Sequence, residues 1–245
     1  MKLENADFET EEGKVRWIPA ADGAQLQQLA FQRIVDAAAR AIAQRGQFLI
    51  VLAGGNTPRA IYQKLSNAPT DWSRWHIYFG DERCLPADDA NRNSMMASNA
   101  WLEHVAIPQN QIHVIPAELG ASAASLIYAE TLHSVADFDL VLLGLGEDGH
   151  TASLFPGHYW GVAGSSPNAL AVFDAPKLPT QRVTLSAQRL NRTREVLFVI
   201  EGETKRDAVA RWQAGADLPS RAIRPAAGVV VVVESRLLTD EVLGN

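Results

Sequence analysis

Short apolar runs alternate with helical patterns along most of this 245-residue chain, and this alternation limits the folds open to it. Seven runs rich in apolar, β-branched or aromatic residues predict strands: Phe48–Ala53, His76–Phe79, Ile112–Ile115, Leu140–Leu145, Val183–Leu185, Val196–Ile200 and Val229–Val233. Five segments predict helices: Gln25–Arg45, Arg59–Leu65, Ser94–His104, Ser122–Ser134 and Thr204–Gln213. Because parallel strands need crossover connections, this order favours the α/β class, with a largely parallel sheet between two helical layers.

Length and composition are compatible with one large core. The chain is 47% hydrophobic, which is enough to bury a substantial interior, and we expect a single domain over residues 1–245. The segment 157–180, rich in Gly, Pro, Ser and Asn, interrupts the alternation and predicts a surface excursion; it could close over a site or pack outside one. The valine run Val229–Val233 is typical of a central strand buried on both faces.

Charge and cysteine usage narrow the choice of partners and compartment. A formal net charge of -6 leaves no broad basic surface, so neither nucleic acid nor an anionic membrane is expected as a partner. The single cysteine, Cys84, excludes an intramolecular disulfide framework. The acidic segment Met1–Glu12 has no apolar core of a secretory signal, and no apolar run approaches the roughly 18 residues of a membrane span. We expect a cytoplasmic monomer or small homo-oligomer that acts on a small molecule.

The stretch 144–157, Gly-Leu-Gly-Glu-Asp-Gly-His-Thr-Ala-Ser-Leu-Phe-Pro-Gly, follows a predicted strand and places His150 beyond a glycine-rich turn. Such a turn lies at the carboxyl edge of the sheet, where open α/β sheets bind ligands, and an imidazole there can take a proton from water. Its glycines also match G-x-G-x-x-G, but Glu147 and Asp148 would repel a pyrophosphate, so no dinucleotide cofactor is expected. The other five histidines show no paired metal-binding spacing, and no metal is expected.

The loop Gly54-Gly55-Asn56-Thr57-Pro58 joins a predicted strand to a predicted helix. Thr57 is placed to cap that helix, and Pro58 suits its first turn. Adjacent glycines allow a ligand to approach the backbone, and a helix amino terminus favours negative charge, so the loop is a candidate phosphate site. An ordinary strand-to-helix turn is the alternative.

Two further strand ends carry charge. Gly80-Asp81-Glu82-Arg83-Cys84 predicts a turn on the same sheet edge, either solvated or with Asp81 and Arg83 facing a ligand. Cys84 has no identifiable histidine partner and is not expected to be a nucleophile. In Glu201–Arg206, Lys205 and Arg206 lie in the first turn of a helix, where the helix dipole disfavours cations, which suggests a compensating anion or a solvated face.

Together these segments resemble the 6-phosphogluconolactonase family, part of a wider group with the glucosamine-6-phosphate deaminases. The family carries a Gly-Gly-x-Thr-Pro loop like Gly54–Pro58, an Asp-Glu-Arg turn like Asp81–Arg83, and a Gly-x-x-Lys-Arg segment like Gly202–Arg206. It also carries Gly-x-Gly-x-Asp-Gly-His-Thr-Ala-Ser-Leu-Phe-Pro, like Gly144–Pro156. Family members often read Ser-Asn-Tyr in some order where this chain has Asn93-Ser94, so that turn is assigned no role.

The resemblance implies a modified Rossmann-like α/β/α fold and hydrolysis of 6-phospho-D-glucono-1,5-lactone to 6-phosphogluconate without a cofactor. It implies His150, Arg83 and Asp81 as catalytic residues. The substrate-binding residues it implies are Gly54, Gly55, Asn56, Thr57, Asp148, Lys205 and Arg206, with the main phosphate contact open between the last two. An amino-sugar phosphate deaminase and a non-catalytic sugar-phosphate-binding regulator are the alternatives. The deaminases carry an acid after the shared Asp-Gly-His, where this chain reads Thr151–Pro156, and commonly place Tyr at the position of Arg83.

Overall fold

The computed structural model describes residues 8–10 and 15–239. Most of the segment Met1–Glu12, for which the sequence predicts no secretory signal, lies outside the described residues. The strands are β1 (Phe8–Thr10), β2 (Val15–Ala20), β3 (Phe48–Leu52), β4 (Trp75–Phe79), β5 (Asp81–Arg83), β6 (Ile112–His113), β7 (Leu140–Leu143), β8 (Ala169–Val172), β9 (Arg182–Leu185), β10 (Val196–Ile200) and β11 (Val229–Glu234). The α-helices are α1 (Gly23–Arg45), α2 (Asn56–Leu65), α3 (Asn93–Ala100), α4 (Ala121–Thr131), α5 (Ala187–Asn191) and α6 (Arg206–Gln213).

All the predicted strands and helices are present, with ends displaced by at most four residues. Eight strands form the main sheet in the order β1-β2-β11-β10-β7-β3-β4-β6. Every neighbouring pair among these described strands is parallel except β1 with β2. The α/β class with a largely parallel sheet is therefore confirmed.

The strand order reverses between β3 and β7. After β3 the chain adds β4 and β6 on one side, and after β7 it adds β10 and β11 on the other. Connections therefore leave in opposite directions from the carboxyl ends of β3 and β7, which opens a crevice between them. Open α/β sheets bind ligands at such a switch point.

The core is formed by strands that are buried along their length and by helix residues that are buried at helical spacing. Strands β3, β7 and β10 are buried along their whole lengths. Helix α1 begins where the Asp22 side chain accepts the backbone N–H of Gln25 at 2.8 Å, and it ends at Gly46 in the left-handed conformation. Between these caps its buried residues recur at helical spacing: Leu26, Ala30, Ile34, Ala37, Ala38 and Ala41. Within the described residues, no helix is both long and apolar enough to cross a membrane.

A second sheet, which the sequence did not predict, has three antiparallel strands in the order β5-β9-β8. Gly80 is the single residue between β4 and β5; its N–H donates to Leu52 O at 2.9 Å, and its carbonyl accepts the N–H of Leu185 at 2.8 Å. The chain thus passes directly from one sheet into the other. The prediction of a turn at Gly80–Cys84 is corrected, because β5 occupies its centre. The predicted excursion at 157–180 contains β8.

Candidate active site

A cavity of about 330 Å³ opens at the carboxyl edge of the main sheet, where β3, β4 and β7 end. The backbone of Gly54, Gly55, Gly80, Gly144 and Gly146 contributes to its lining. Apolar residues also line it, and its charged and polar side chains are those of Asp81, Arg83, Asn93, His150, Lys177, Arg182 and Lys205. The cavity lies at the switch point of the sheet, so the fold brings most of the predicted site residues to one place.

His150 lies at the end of the glycine turn after β7. The N–H of Gly146 donates to the carbonyl of His150 at 2.7 Å, which folds the turn back on itself. A Cβ atom at residue 146 would overlap the imidazole, so only glycine leaves room for the ring there. The imidazole also packs on Phe155, with 4.8 Å between ring centroids. Packing on both sides therefore fixes the imidazole at the cavity wall.

Asp148 determines the tautomer of His150. Its Oδ1 accepts the backbone N–H of His150 at 3.1 Å and lies 2.5 Å from His150 Nδ1. Burial raises the pKa of Asp148, but hydrogen bonds from His150 and its charge outweigh burial, so the pKa lies below its ordinary value. An ionised carboxylate only accepts hydrogen bonds, so Nδ1 carries the proton and Nε2 keeps its lone pair. His150 is thereby oriented as a general base, with Asp148 behind it and outside the cavity lining.

Asp81 is buried and is held by two side chains whose contact with it no sequence pattern predicts. Asn93 Nδ2 donates to Asp81 Oδ1 at 3.0 Å, and Ser153 Oγ donates to Asp81 Oδ2 at 2.6 Å. A Cβ atom at Gly54 would overlap the amide of Asn93, so the glycine turn and Asp81 are linked through that amide. The carboxylate therefore has one fixed orientation at the cavity. Asn93, to which the sequence analysis assigned no role, lines the cavity and belongs to the site.

The next residue, Glu82, is not in the cavity lining and holds the backbone of Asn93 in position. Its carboxylate is fully buried and accepts the backbone N–H groups of Asn93 at 2.7 Å and Ser94 at 2.8 Å, at the start of α3. The buried guanidinium of Arg92 lies 3.4 Å away and also pairs with Glu118 at 2.8 Å. A carboxylate at a helix amino terminus satisfies N–H groups that have no partner within the helix. Glu82 thus fixes the position from which Asn93 reaches the cavity.

Two arginines face each other across β5 and β9. Arg83 and Arg182 are direct partners in the strand register, and both line the cavity. Like charges in this position destabilise a sheet unless an anion lies near. Burial lowers the pKa of Arg182, the negative charge of Asp81 raises it, and Arg83 lowers it. Arg182 is only 6% exposed, so the pair presents a partly desolvated positive charge beside Asp81.

The glycine loop forms the amino terminus of α2. The helix starts at Asn56 after Gly55, whose φ of 110° favours glycine, and no side chain caps it. The prediction that Thr57 caps this helix is wrong, because the helix begins at Asn56, which places Thr57 inside the first turn. Gly54 and Gly55 line the cavity, whereas Asn56 and Thr57 are not among its lining residues. The uncapped N–H groups nevertheless make this end of the cavity favourable for an anion.

Of the two basic residues at the amino terminus of α6, Lys205 lines the cavity and Arg206 does not. Arg206 is exposed and pairs with Glu203, with 3.0 Å between Nη2 and Oε2. Burial lowers the pKa of Lys205 more than the neighbouring carboxylates of Glu147 and Asp148 raise it. A partly desolvated ammonium group of this kind gains most from an anionic ligand.

Two basic lining residues, Lys177 and Arg182, were missed by sequence reasoning. Lys177 lies inside the segment 157–180, read as an excursion, and Arg182 lies two residues beyond it. Composition indicates a loop there and carries no sign of which side chains turn inward. Arg182 binds that segment to the site, because its Nε donates to Pro179 O at 3.1 Å and its Nη2 to Lys177 O at 2.8 Å. Part of the excursion therefore forms the cavity rim.

The site combines a histidine oriented for base catalysis with several cations in one cavity. Among the described residues, no group of three or more His, Cys, Asp or Glu side chains is arranged to hold a metal ion. The class of protein that this fold and site define is an α/β enzyme that applies acid–base chemistry to an anionic small molecule.

Comparison with known proteins gives the family. Residues 21–232 match the family described as glucosamine-6-phosphate isomerases/6-phosphogluconolactonase, so the chain belongs to that family. The 6-phosphogluconolactonase of Mycobacterium tuberculosis is 42% identical over 213 residues, covering 81% of this chain and 85% of that protein. The one from Synechocystis is 37% identical over 216 residues, covering 80% and 86%.

The crystal structure of 6-phosphogluconolactonase from Thermotoga maritima has the same fold, with a TM-score of 0.82 at 25% identity. The match covers 91% of this chain and all (100%) of that one. The family resemblance and the fold expected from the sequence are both confirmed.

Proposed function

We propose that this protein is a 6-phosphogluconolactonase, which hydrolyses 6-phospho-D-glucono-1,5-lactone to 6-phosphogluconate in the oxidative pentose phosphate pathway. The observation that carries the proposal is that the Asp148-oriented His150 shares one cavity with cationic groups. Relatives named for this activity, at up to 42% identity, support it. The expectations of a single domain, a cytoplasmic location and a monomer or small homo-oligomer remain predictions.

The cavity can receive the phosphate of a phosphorylated lactone at one end and its ester at the other, beside His150. Lys205, the Gly54–Gly55 turn and the uncapped α2 terminus provide cationic and N–H contacts for the phosphate. Binding energy from a phosphate remote from the reacting carbonyl can then hold the ester against His150. Lys205 is favoured over Arg206 as the main phosphate contact because Arg206 is already paired with Glu203.

Hydrolysis requires one base, one acid and stabilisation of an oxyanion. Nε2 of His150 takes a proton from water as the water oxygen attacks the lactone carbonyl, and Arg83 with Arg182 stabilises the negative charge that forms on the carbonyl oxygen. The ring C–O bond then breaks, and the imidazolium returns the proton to the departing ring oxygen. Asp148 stabilises the imidazolium throughout. Asp81, held by hydrogen bonds from Asn93 and Ser153, accepts a hydrogen bond from a sugar hydroxyl.

The segment that follows His150 contributes no acid to the cavity, which argues against an amino-sugar phosphate deaminase. Of the segment Thr151–Pro156, which follows His150, only Ala152 and Phe155 are among the lining residues. Neither can protonate or deprotonate a sugar, so the ring-opening acid that the deaminases carry in this segment has no counterpart here.

The test is the rate of lactone loss from freshly generated 6-phosphogluconolactone, with spontaneous hydrolysis subtracted and unphosphorylated gluconolactone run beside it. We expect acceleration confined to the phosphorylated lactone. The His150→Asn variant should lose turnover while retaining most of its affinity for 6-phosphogluconate. Folded wild-type protein that gives no acceleration but binds 6-phosphogluconate would instead support the non-catalytic regulator.

A further inference from the structure

Glu147 is the one charged residue of the turn Gly144–His150 that the proposed mechanism leaves unused. It lies within the glycine turn and outside the cavity lining, and its Oε2 is 3.4 Å from Nζ of the lining residue Lys177. Both side chains are at least half exposed, at 50% and 64%. This ion pair connects two segments that lie 30 positions apart in sequence.

Glu147 also acts on Lys205, the second lysine of the cavity. The charge of Lys177 is the largest influence lowering the pKa of Glu147, and Lys205 contributes in the same direction. In turn, Glu147 raises the pKa of Lys205 and Lys177 lowers it. Lys205 has no ion pair within 4 Å in the described part of the chain, so Glu147 is shared unequally by the two ammonium groups.

The carboxylate of Glu147 partly neutralises the positive charge of the two lysines, as a bound anion would. Two lysines carry two positive charges, a phosphate ester carries about -1.5 to -2, and the Glu147 carboxylate places one negative charge beside Lys177. An exposed ion pair is weak, contributing about 0 to 1 kcal/mol, so a dianion can displace it. A neutral sugar cannot, because it offers no charge in exchange.

We infer that Glu147 is an internal counter-ion of the phosphate subsite and a specificity-determining residue. It holds Lys177 at the rim until a phosphate group displaces its carboxylate. This inference rests on the proposed function for the identity of the ligand. Phosphate binding through Lys177 and Lys205 is thus opposed by a competing carboxylate, and anions that carry less charge than a phosphate dianion displace it less readily.

The test compares Glu147→Gln with Glu203→Gln. Glu203 is a matched control, since it is an exposed glutamate in an ion pair with Arg206 and is not among the cavity-lining residues. Binding of inorganic phosphate is measured by calorimetry, without turnover. Glu147→Gln should bind phosphate about two- to fivefold more tightly than wild type, the range for loss of one exposed competing charge, and less so at high salt. Glu203→Gln should match wild type.

Three results would overturn the inference. Weaker or unchanged phosphate binding by Glu147→Gln would mean that the carboxylate positions Lys177 or does nothing. An equal gain in Glu203→Gln would indicate a general charge effect. A gain that is undiminished in a Lys177→Gln background would show that Glu147 acts without the ion pair.

Turnover separates this inference from the proposed function. The KM for the phosphorylated lactone should fall in Glu147→Gln by the same factor as the phosphate affinity rises. Any slow turnover of gluconolactone should not change. Tighter phosphate binding with no lactonase activity in either protein would refute the proposed function and leave the counter-ion role standing.

Discussion

Replacing Asp148 by Asn tests how the base is oriented. Both donors from His150, the backbone N–H and Nδ1–H, point at the same oxygen, Oδ1. An asparagine would keep its carbonyl oxygen in that place, because turning the amide would set its NH₂ group against a backbone N–H. We therefore expect the variant to preserve the tautomer of His150 and to lose only the negative charge.

The magnitude follows from that difference. A hydrogen bond to a charged group contributes about 1.5–3 kcal/mol and a neutral one about 0.5–1.5 kcal/mol, so the loss is about 1–1.5 kcal/mol. That corresponds to a fall in kcat of about 5- to 15-fold. The Asp148 side chain is 42% exposed, so water screens part of the loss and the upper end is a ceiling.

The assay is kcat for the phosphorylated lactone after subtraction of spontaneous hydrolysis. Asp174→Asn is the matched control, because Asp174 lies 3.4 Å from His158 Nδ1 in a second His–Asp pair whose members are not among the cavity-lining residues. It should leave kcat unchanged. A fall of about 10⁴-fold in Asp148→Asn, as expected for the wrong tautomer, would refute the argument that the backbone N–H fixes the amide. No fall would refute the role of the charge.

Three further predictions concern the support of the site and its pH dependence. Gly54→Ala should displace Asn93 from Asp81 and thereby lower kcat/KM. An unchanged kcat/KM would contradict the link between the glycine turn and Asp81 through Asn93. Glu82→Gln should lower the free energy of unfolding in urea by an amount near the lower end of about 3–5 kcal/mol, because its buried charge partner keeps a second carboxylate. The folded pKa of Asp148 lies below its ordinary value near 3.8, so its contribution to stability is present above the unfolded pKa and is lost as pH falls through the folded pKa. Tm measured against pH should therefore drop less steeply below 3.8 in Asp148→Asn than in wild type, and parallel curves would exclude this contribution.

The sequence determined the elements whose signals are local. Buried strands and amphipathic helices are read from spacing within about ten residues, and the predicted strands and helices are all present. The His150 turn is local as well, because Asp148, Gly146 and the imidazole lie within five positions of one another. The sequence could therefore predict both the parallel sheet and the position of His150 at its edge.

The tertiary structure decided what surrounds that base. Asp81 and Ser153 lie 72 positions apart, and Arg83 meets Arg182 only because β5 leaves the main sheet to pair with β9. No local pattern records such pairings, since they depend on where two separate chain segments pack in the folded protein. For the same reason Lys177 could not be placed from sequence: whether a loop residue faces a cavity or solvent is settled by the packing of the whole rim.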